Sequence, residues 1–215
     1  MQDLVIEKSK EMQEFAQANG FKEALLVTDD VVEKADCFFI DGTKSKGIRK
    51  DIQRTRHKFC LIAVLGSPER NREILEACPD VLLSPHFAAG KDFMKVRNAG
   101  LDSVTCKIAA KNKISIGIDF SEILKAQEQE REILIGRIMQ NIRLCRKYKV
   151  KMLIATFASS VLEMRSAHDL QAFAQALGMT PKEAQDALHE AGRILMRNQE
   201  KKHPSYVSDG IRIVE

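Results

Sequence analysis

The sequence predicts an α/β fold on a parallel sheet, and three observations carry that expectation. Short apolar runs alternate with helix-patterned segments from end to end. One run, ISIGIDF at residues 114–120, is apolar or Gly at nearly every position, as suits a strand covered on both faces. No Gly-, Ser- or Pro-rich linker interrupts the 215 residues, so one domain spanning 1–215 is expected. Seven strands read clearly, with room for an eighth. Pattern alone leaves an open doubly wound sheet and a closed barrel equally open.

Taken in order, DLVIE (residues 3–7) is a strand, and Ser9 caps a helix that buries Met12, Phe15 and Ala16 and closes at Gly20. EALLVT (23–28) is a strand, Asp29-Asp30 opens a short turn or helix, and DCFFI (36–40) is a strand stopped by Asp41-Gly42. FCLIAVL (59–65) is a buried strand, and Ser67-Pro68 starts a helix ending near Cys78-Pro79. VLLS (81–84) is a short strand. Residues 92–100 read as a basic helix ending in Asn-Ala-Gly, 103–106 as strand-like, and the next few residues as a second short helix. Ser121 caps a long helix to about Tyr148, with Ile135, Ile138, Ile142 and Cys145 on one stripe. MLIATF (152–157) is the last clear strand. Helices follow at 169–177 and 181–197, the latter started by a Thr180–Glu183 capping box with Pro181 at its first position. The tail from about residue 200 either adds a strand or docks loosely.

Composition excludes several classes. The chain is 44% hydrophobic and 30% charged, ordinary for a soluble domain. Residues 1–20 lack the apolar core of a signal peptide, and no run approaches the roughly 18–20 apolar residues of a membrane span, so a cytoplasmic protein without a membrane partner is expected. The five cysteines stand singly and read as buried thiols. Neither a Gly-x-Gly-x-x-Gly turn nor a phosphate-binding loop is present. The five histidines are isolated, and Asp3, Glu7, Asp41 and Asp119, acids near strand ends, have no ligand spacing around them. Ser159-Ser160 follow a strand where a barrel places its chemistry, but no histidine partner can be assigned.

Charge distribution says more than the net +4. Residues 44–58 hold seven Lys or Arg and one acid. A second cluster comprises Lys91, Lys95, Arg97, Lys107, Lys111 and Lys113. From Ile133 to Leu162 there is no acid, while Arg137, Arg143, Arg146, Lys147, Lys149 and Lys151 supply six cations. Three such clusters point to a phosphate-backbone partner. With 6% aromatic residues and no tryptophan, recognition of backbone and shape suits better than base stacking on aromatic platforms. Composition leaves RNA and DNA open.

The run RNAGLDSVTCKIAAKNKISIGIDFSEIL (97–124), with Arg131, Arg137 and IRLCRKYKVKMLIAT after it, resembles the archaeal RNase P protein component 3 family, which includes the 30-kilodalton subunit of the eukaryotic enzyme. MRSAHDLQAFAQALGMTPKEA (164–184), the HPSYVSDGIRIVE tail and the Ala16–Phe21 turn resemble it too. The resemblance implies a TIM-like α/β barrel related to the PHP phosphoesterases. It also implies a noncatalytic subunit of the ribonucleoprotein that removes the 5′ leader of precursor tRNA. Expected partners are the RNase P RNA, the RRM-like component 2, the other protein components and, for the holoenzyme, precursor tRNA. The implied cofactor is Mg²⁺ used by the RNA subunit, none bound by the protein. The residues matching the family's basic positions are Arg97, Lys107, Arg165 and the Arg146–Lys147 pair, and these are the implied RNA contacts. The first strand, DLVIEKS, lacks the His-x-His of the phosphoesterases. No catalytic or metal residue is therefore expected, and a metal-dependent phosphoesterase is the rival reading.

Overall fold

The structure, a computed structural model, describes residues 1–30, 35, 37–92, 94, 96–204, 206–208 and 211–212. Seven strands form one parallel sheet in sequence order. They are β1 (Gln2–Val5), β2 (Glu23–Thr28), β3 (Cys37–Ile40), β4 (Leu61–Leu65), β5 (Val81–Leu83), β6 (Ser115–Asp119) and β7 (Met152–Ala155). The sheet curls until its edges meet: Val5 bridges Ala158, and the Phe157 amide donates to the Leu4 carbonyl at 2.7 Å. Asp3 clasps this seam. Its Oδ1 accepts from the Thr156 and Leu4 amides at 2.8 and 3.0 Å, and its Oδ2 from the Thr156 hydroxyl at 2.6 Å. The ambiguity between open sheet and barrel resolves as a TIM-like barrel, and Asp3 is its fastening.

Alternate residues fill the interior. Leu4, Leu25, Val27, Cys37, Leu61, Ala63, Val81, Leu83, Leu153 and Ala155 form one buried cluster, following the period of two along strands. Ala191, Ile194 and Leu195 join it from α8 (Pro181–Lys202), which packs on β7, β1 and β4 and so crosses the N-terminal ends of the strands. This helix shuts the bottom of the barrel. The opposite end, where the strands finish, stays open.

The outer ring comprises α1 (Lys10–Ala18), α2 (Ile48–Arg56), α3 (Asn71–Glu76), α4 (Ser103–Asn112), α5 (Phe120–Lys125), α6 (Glu128–Tyr148) and α7 (Ala167–Ala176). Ser9 caps α1 as expected, and Gly20 takes φ +90° beyond its end. The Thr180–Glu183 capping box starts α8. Four expectations fail. Residues 103–106 are the first turn of α4, because the Asp102–Thr105 capping box outweighs the strand preference of Val104 and Thr105. Of the basic helix expected at 92–100, residues 96–100 form no helix, and the Arg97 amide and Ala99 carbonyl bond to α6 instead. The long helix expected from Ser121 is two: Asp119 caps α5, whose end is covered where the Arg131 guanidinium donates to the Ile123 and Ala126 carbonyls at 3.1 and 2.7 Å. Residues 67–70 make a turn before α3, since Asn71 Oδ1 takes the Ser67 amide at 2.9 Å.

Three cysteines are buried, but Cys60 is partly exposed and Cys78 exposed. At the end of α8, Lys202 Nζ donates to the His57 and Phe59 carbonyls at 3.2 Å. Beyond it β8 (Tyr206–Ser208) and β9 (Ile211–Arg212) pair with each other rather than with the barrel. The start of the strand expected at Asp36 and the basic position Lys95 lie outside the described residues. Among the described residues no helix is long and apolar enough to cross a membrane.

Candidate nucleic-acid interface

Parallel strands with returning helices put the basic clusters on neighbouring elements. α2 packs on α3, α3 on α4, and α4 on α6. In α2, Ile48, Ile52 and Thr55 face the barrel, which turns Arg49, Lys50 and Arg54 to solvent. Arg72 on α3, Lys107 and Lys111 on α4, and Arg143 and Lys147 on α6 are exposed on the same sector. The acids nearby are spent locally: Glu73 on Arg70 at 3.0 Å, Glu76 on Arg72 at 2.9 Å, and Asp51 on the Ser45 hydroxyl at 2.5 Å. Lys50, Arg54, Lys107, Lys111 and Arg143 form no ion pair among the described residues. Four adjacent helices thus present one cationic belt.

The expected contacts distribute unevenly. Lys107 lies within the belt, and Lys147 closes it at the last turn of α6, its ammonium 5.6 Å from the Tyr148 ring. Arg146 points elsewhere: Nε and Nη2 donate to the Glu183 carboxylate at 2.8 and 2.7 Å, and Nη2 to the Gly178 carbonyl at 2.6 Å. That hydrogen-bonded guanidinium holds Glu183 down at about 2. Arg146 thus fastens α6 to the start of α8. Arg97 and Arg165 lie at the open end of the barrel. Arg97 sits half-exposed, 3.2 Å from Asp92 and packed across Gly136 of α6. Arg165 lies over the Phe120 ring at 5.6 Å and donates to the Leu162 and Met164 carbonyls. The five residues therefore mark the belt and both ends of the barrel.

The open end also gathers residues that stand far apart in sequence. Asp119 Oδ1 accepts from the Ser121 and Glu122 amides, and Ser84 Oγ donates to Glu122 Oε2 at 2.6 Å. Buried His86 brings Nε2 to 3.5 Å from that same oxygen. Burial, with Glu122 beside it, pushes Asp119 up to about 7. Burial also pushes Glu122 up, but His86 and Ser84 outweigh it and leave its carboxyl below the usual value. Around the rim, Arg137 donates to Asp92 at 2.9 Å and to the Gly90 carbonyl at 2.5 Å. Among the described residues no three His, Cys, Asp or Glu side chains are arranged to hold a metal ion. Ser159 donates to Glu163 at 3.0 Å.

The raised Asp119 has a testable consequence. Between about pH 4 and 7 the native carboxyl keeps a proton that the unfolded chain has released, so stability falls as pH rises through that window. Asp3, raised to about 6, acts in the same direction, and the depressed Glu183 loses its contribution only as pH drops from 4.5 towards 2. Asp119→Asn keeps an oxygen for the two amides while removing the titration. Denaturant melts should show its stability loss from pH 4 to 7 smaller than that of the parent by about 1–2 kcal/mol, the full linkage value being reduced by partial exposure. An unchanged slope would show that Asp119 titrates normally.

Sequence reading missed His86 and Glu122, which are separated in the chain and meet only across the barrel end. The α2 arginines belong to a cluster visible in the charge pattern, but the family resemblance singled out none of them.

Comparison with known proteins fixes the family. Residues 40–203 match the profile of the family described as RNase P subunit p30. The chain belongs to this family. It is similar to ribonuclease P protein component 3 of Methanosarcina mazei, with 31% identity over 156 residues, covering 72% of this chain and 62% of that protein. The Methanosarcina acetivorans counterpart is 31% identical over 167 residues, covering 76% and 66%. The chain thus spans somewhat under two thirds of the length of these relatives. Among solved structures, a chain in a cryo-EM structure of archaeal ribonuclease P with mature tRNA superposes with a TM-score of 0.84 at 20% identity, covering 100% of this chain and 98% of that one. That likeness shows the fold alone.

Proposed function

We propose that the chain is a noncatalytic protein subunit of RNase P, which supports RNA-catalysed removal of the 5′ leader from precursor tRNA. The observation that carries this reading is the cationic belt across α2, α3, α4 and α6 in a member of the p30 family. Its lysines and arginines neutralise phosphates of the RNA subunit's catalytic domain, which lowers the Mg²⁺ that the RNA needs to fold and react. Lys107 and Lys147 act within the belt, Arg97 and Arg165 form a second contact at the open end, and Arg146 serves the fold. The RRM-like component 2 binds alongside, and the holoenzyme acts on precursor tRNA.

The test is precursor-tRNA cleavage by the cognate RNA at limiting Mg²⁺, with component 2 present and this chain added or omitted. Cleavage should depend on the chain; equal rates with and without it would refute the reading. The triple variant Lys107→Ala, Lys111→Ala, Arg143→Ala should weaken RNA binding. Its log–log salt slope should be shallower by about 2–3, because fewer counterions are released. A slope equal to the parent's would move the interface off the belt.

A further inference from the structure

The open end of the barrel contains a pocket that the belt leaves without a task. A cavity of about 1210 Å³ opens among the strand ends. Ile6, Phe39, Leu65 and Phe157 give it apolar walls, and Ser84, His86, Asp119 and Glu122 a polar floor. His86 is only 4% exposed, yet neither ring nitrogen makes a close hydrogen bond: Nε2 stands 3.5 Å from Glu122 Oε2 and Nδ1 has no partner among the described residues, an uncommon state for buried polar atoms. Glu122 Oε2 is engaged by Ser84, whereas Oε1 receives no donor among the described residues. Lys91 stands exposed at the rim, and Lys125, which also lines the cavity, pairs with Glu163 at 3.2 Å and stays half-exposed.

An occupant that satisfies this floor presents an acceptor to His86 and adjacent donors to Glu122, on a flat body between apolar walls, with an anion towards Lys91. The Watson–Crick edge of guanine carries that order: the O6 acceptor, then N1–H and N2–H₂ donors. Adenine reverses it, and cytosine offers a single amino donor. We propose that the open end of the barrel is a guanine-nucleotide site, with Glu122 taking the N1 and N2 donors, His86 the O6 acceptor and Lys91 the phosphate. The cavity exceeds the roughly 300–1,000 Å³ of ordinary ligand pockets, which leaves room for flanking nucleotides of a single strand. The inference rests on the RNA-binding reading only for the source of the base.

Calorimetric titration of the full chain with GMP, AMP, CMP and ribose 5-phosphate tests it without any RNase P RNA, so its failure and a failed reconstitution are read separately. GMP should saturate with Kd below about 1 mM, and the other three should bind at least ~10-fold more weakly. GMP should shift the ring-proton resonances of His86. Glu122→Gln should lose ~10-fold in GMP affinity with its circular dichroism unchanged. Lys91→Ala, on the surface, should weaken GMP but not guanosine. A single-stranded UUGUU that binds more tightly than GMP, with UUAUU failing, assigns the base to RNA; UUGUU binding more weakly assigns the site to the free nucleotide. No binding by any nucleotide, as a protein-covered end would give, overturns the proposal. So does equal affinity for GMP and ribose 5-phosphate, or an unaltered response in both variants.

Discussion

Asp80→Ala should destabilise the protein by about 3–5 kcal/mol, a large part of the roughly 5–15 kcal/mol that holds a domain folded. Asp80 is buried at the closed end of the barrel, where three elements converge on it. Its Oδ2 takes the Ile62 amide of β4 at 2.9 Å and the Arg56 guanidinium of α2. Its Oδ1 takes the Asn198 amide of α8 at 2.8 Å, with Arg197 at 3.7 Å. Removing the carboxylate leaves the buried Ile62 amide without its acceptor, leaves the Asn198 carboxamide with the Cys60 carbonyl alone, and strips Arg56 and Arg197 of their counter-charge. The cost comes from those abandoned donors rather than from the ion pair itself. Asp80→Asn, which keeps one acceptor oxygen, should fall between the parent and the Ala variant. Urea melts provide the comparison. A loss under about 1 kcal/mol for Asp80→Ala would show that α8 is held to the bottom by its apolar face alone.

The Asp80 cluster also shows where sequence reading stopped. Local signals were legible: Glu23–Thr28 is a strand residue for residue, and Thr180 with Glu183 starts α8 as its spacing requires. Closure of the barrel came from the family resemblance, because seven buried strands look alike in an open sheet. Segments whose hydrogen bonds leave the neighbourhood were misread. Residues 96–100 carry helix-compatible residues, but Gln140 holds both the amide and the carbonyl of Arg97, at 3.1 and 3.0 Å, and Asn141 holds the Ala99 carbonyl at 2.8 Å. The same reason limits the site. Charge clusters are visible in sequence, yet which cations remain available depends on partners far along the chain. Arg56 is consumed by Asp80 and Arg146 by Glu183, while Lys107, Lys111 and Arg143 stay exposed. His86 and Glu122 look unremarkable until β5 and β6 bring their ends together.

Asn71→Leu should cost about 3 kcal/mol or more and should also disturb the open end of the barrel. Asn71 is fully buried, and its carboxamide is fully used: Oδ1 takes the Ser67 amide at 2.9 Å, and Nδ2 donates to the Pro85 carbonyl at 2.6 Å and the Gly100 carbonyl at 2.8 Å. Leucine keeps the branched shape but strands one donor and two acceptors, each costing roughly 1–3 kcal/mol when buried. The two carbonyls bracket the connection from β5 to α4 that carries His86, Lys91 and Arg97. Gly100 sits at φ +79° with no room for a Cβ against the Pro85 carbonyl, so the backbone there cannot shift to find another partner. Loss of Asn71 should therefore release this connection before the barrel unfolds. Amide hydrogen exchange at residues 96–102 should accelerate by at least ~10-fold, while amides in β4 and β6 exchange at a rate set by global stability. Equal acceleration in strands and connection would show that Asn71 supports the barrel as a whole; acceleration confined to 96–102 would show that one buried side chain fixes the geometry of the open end.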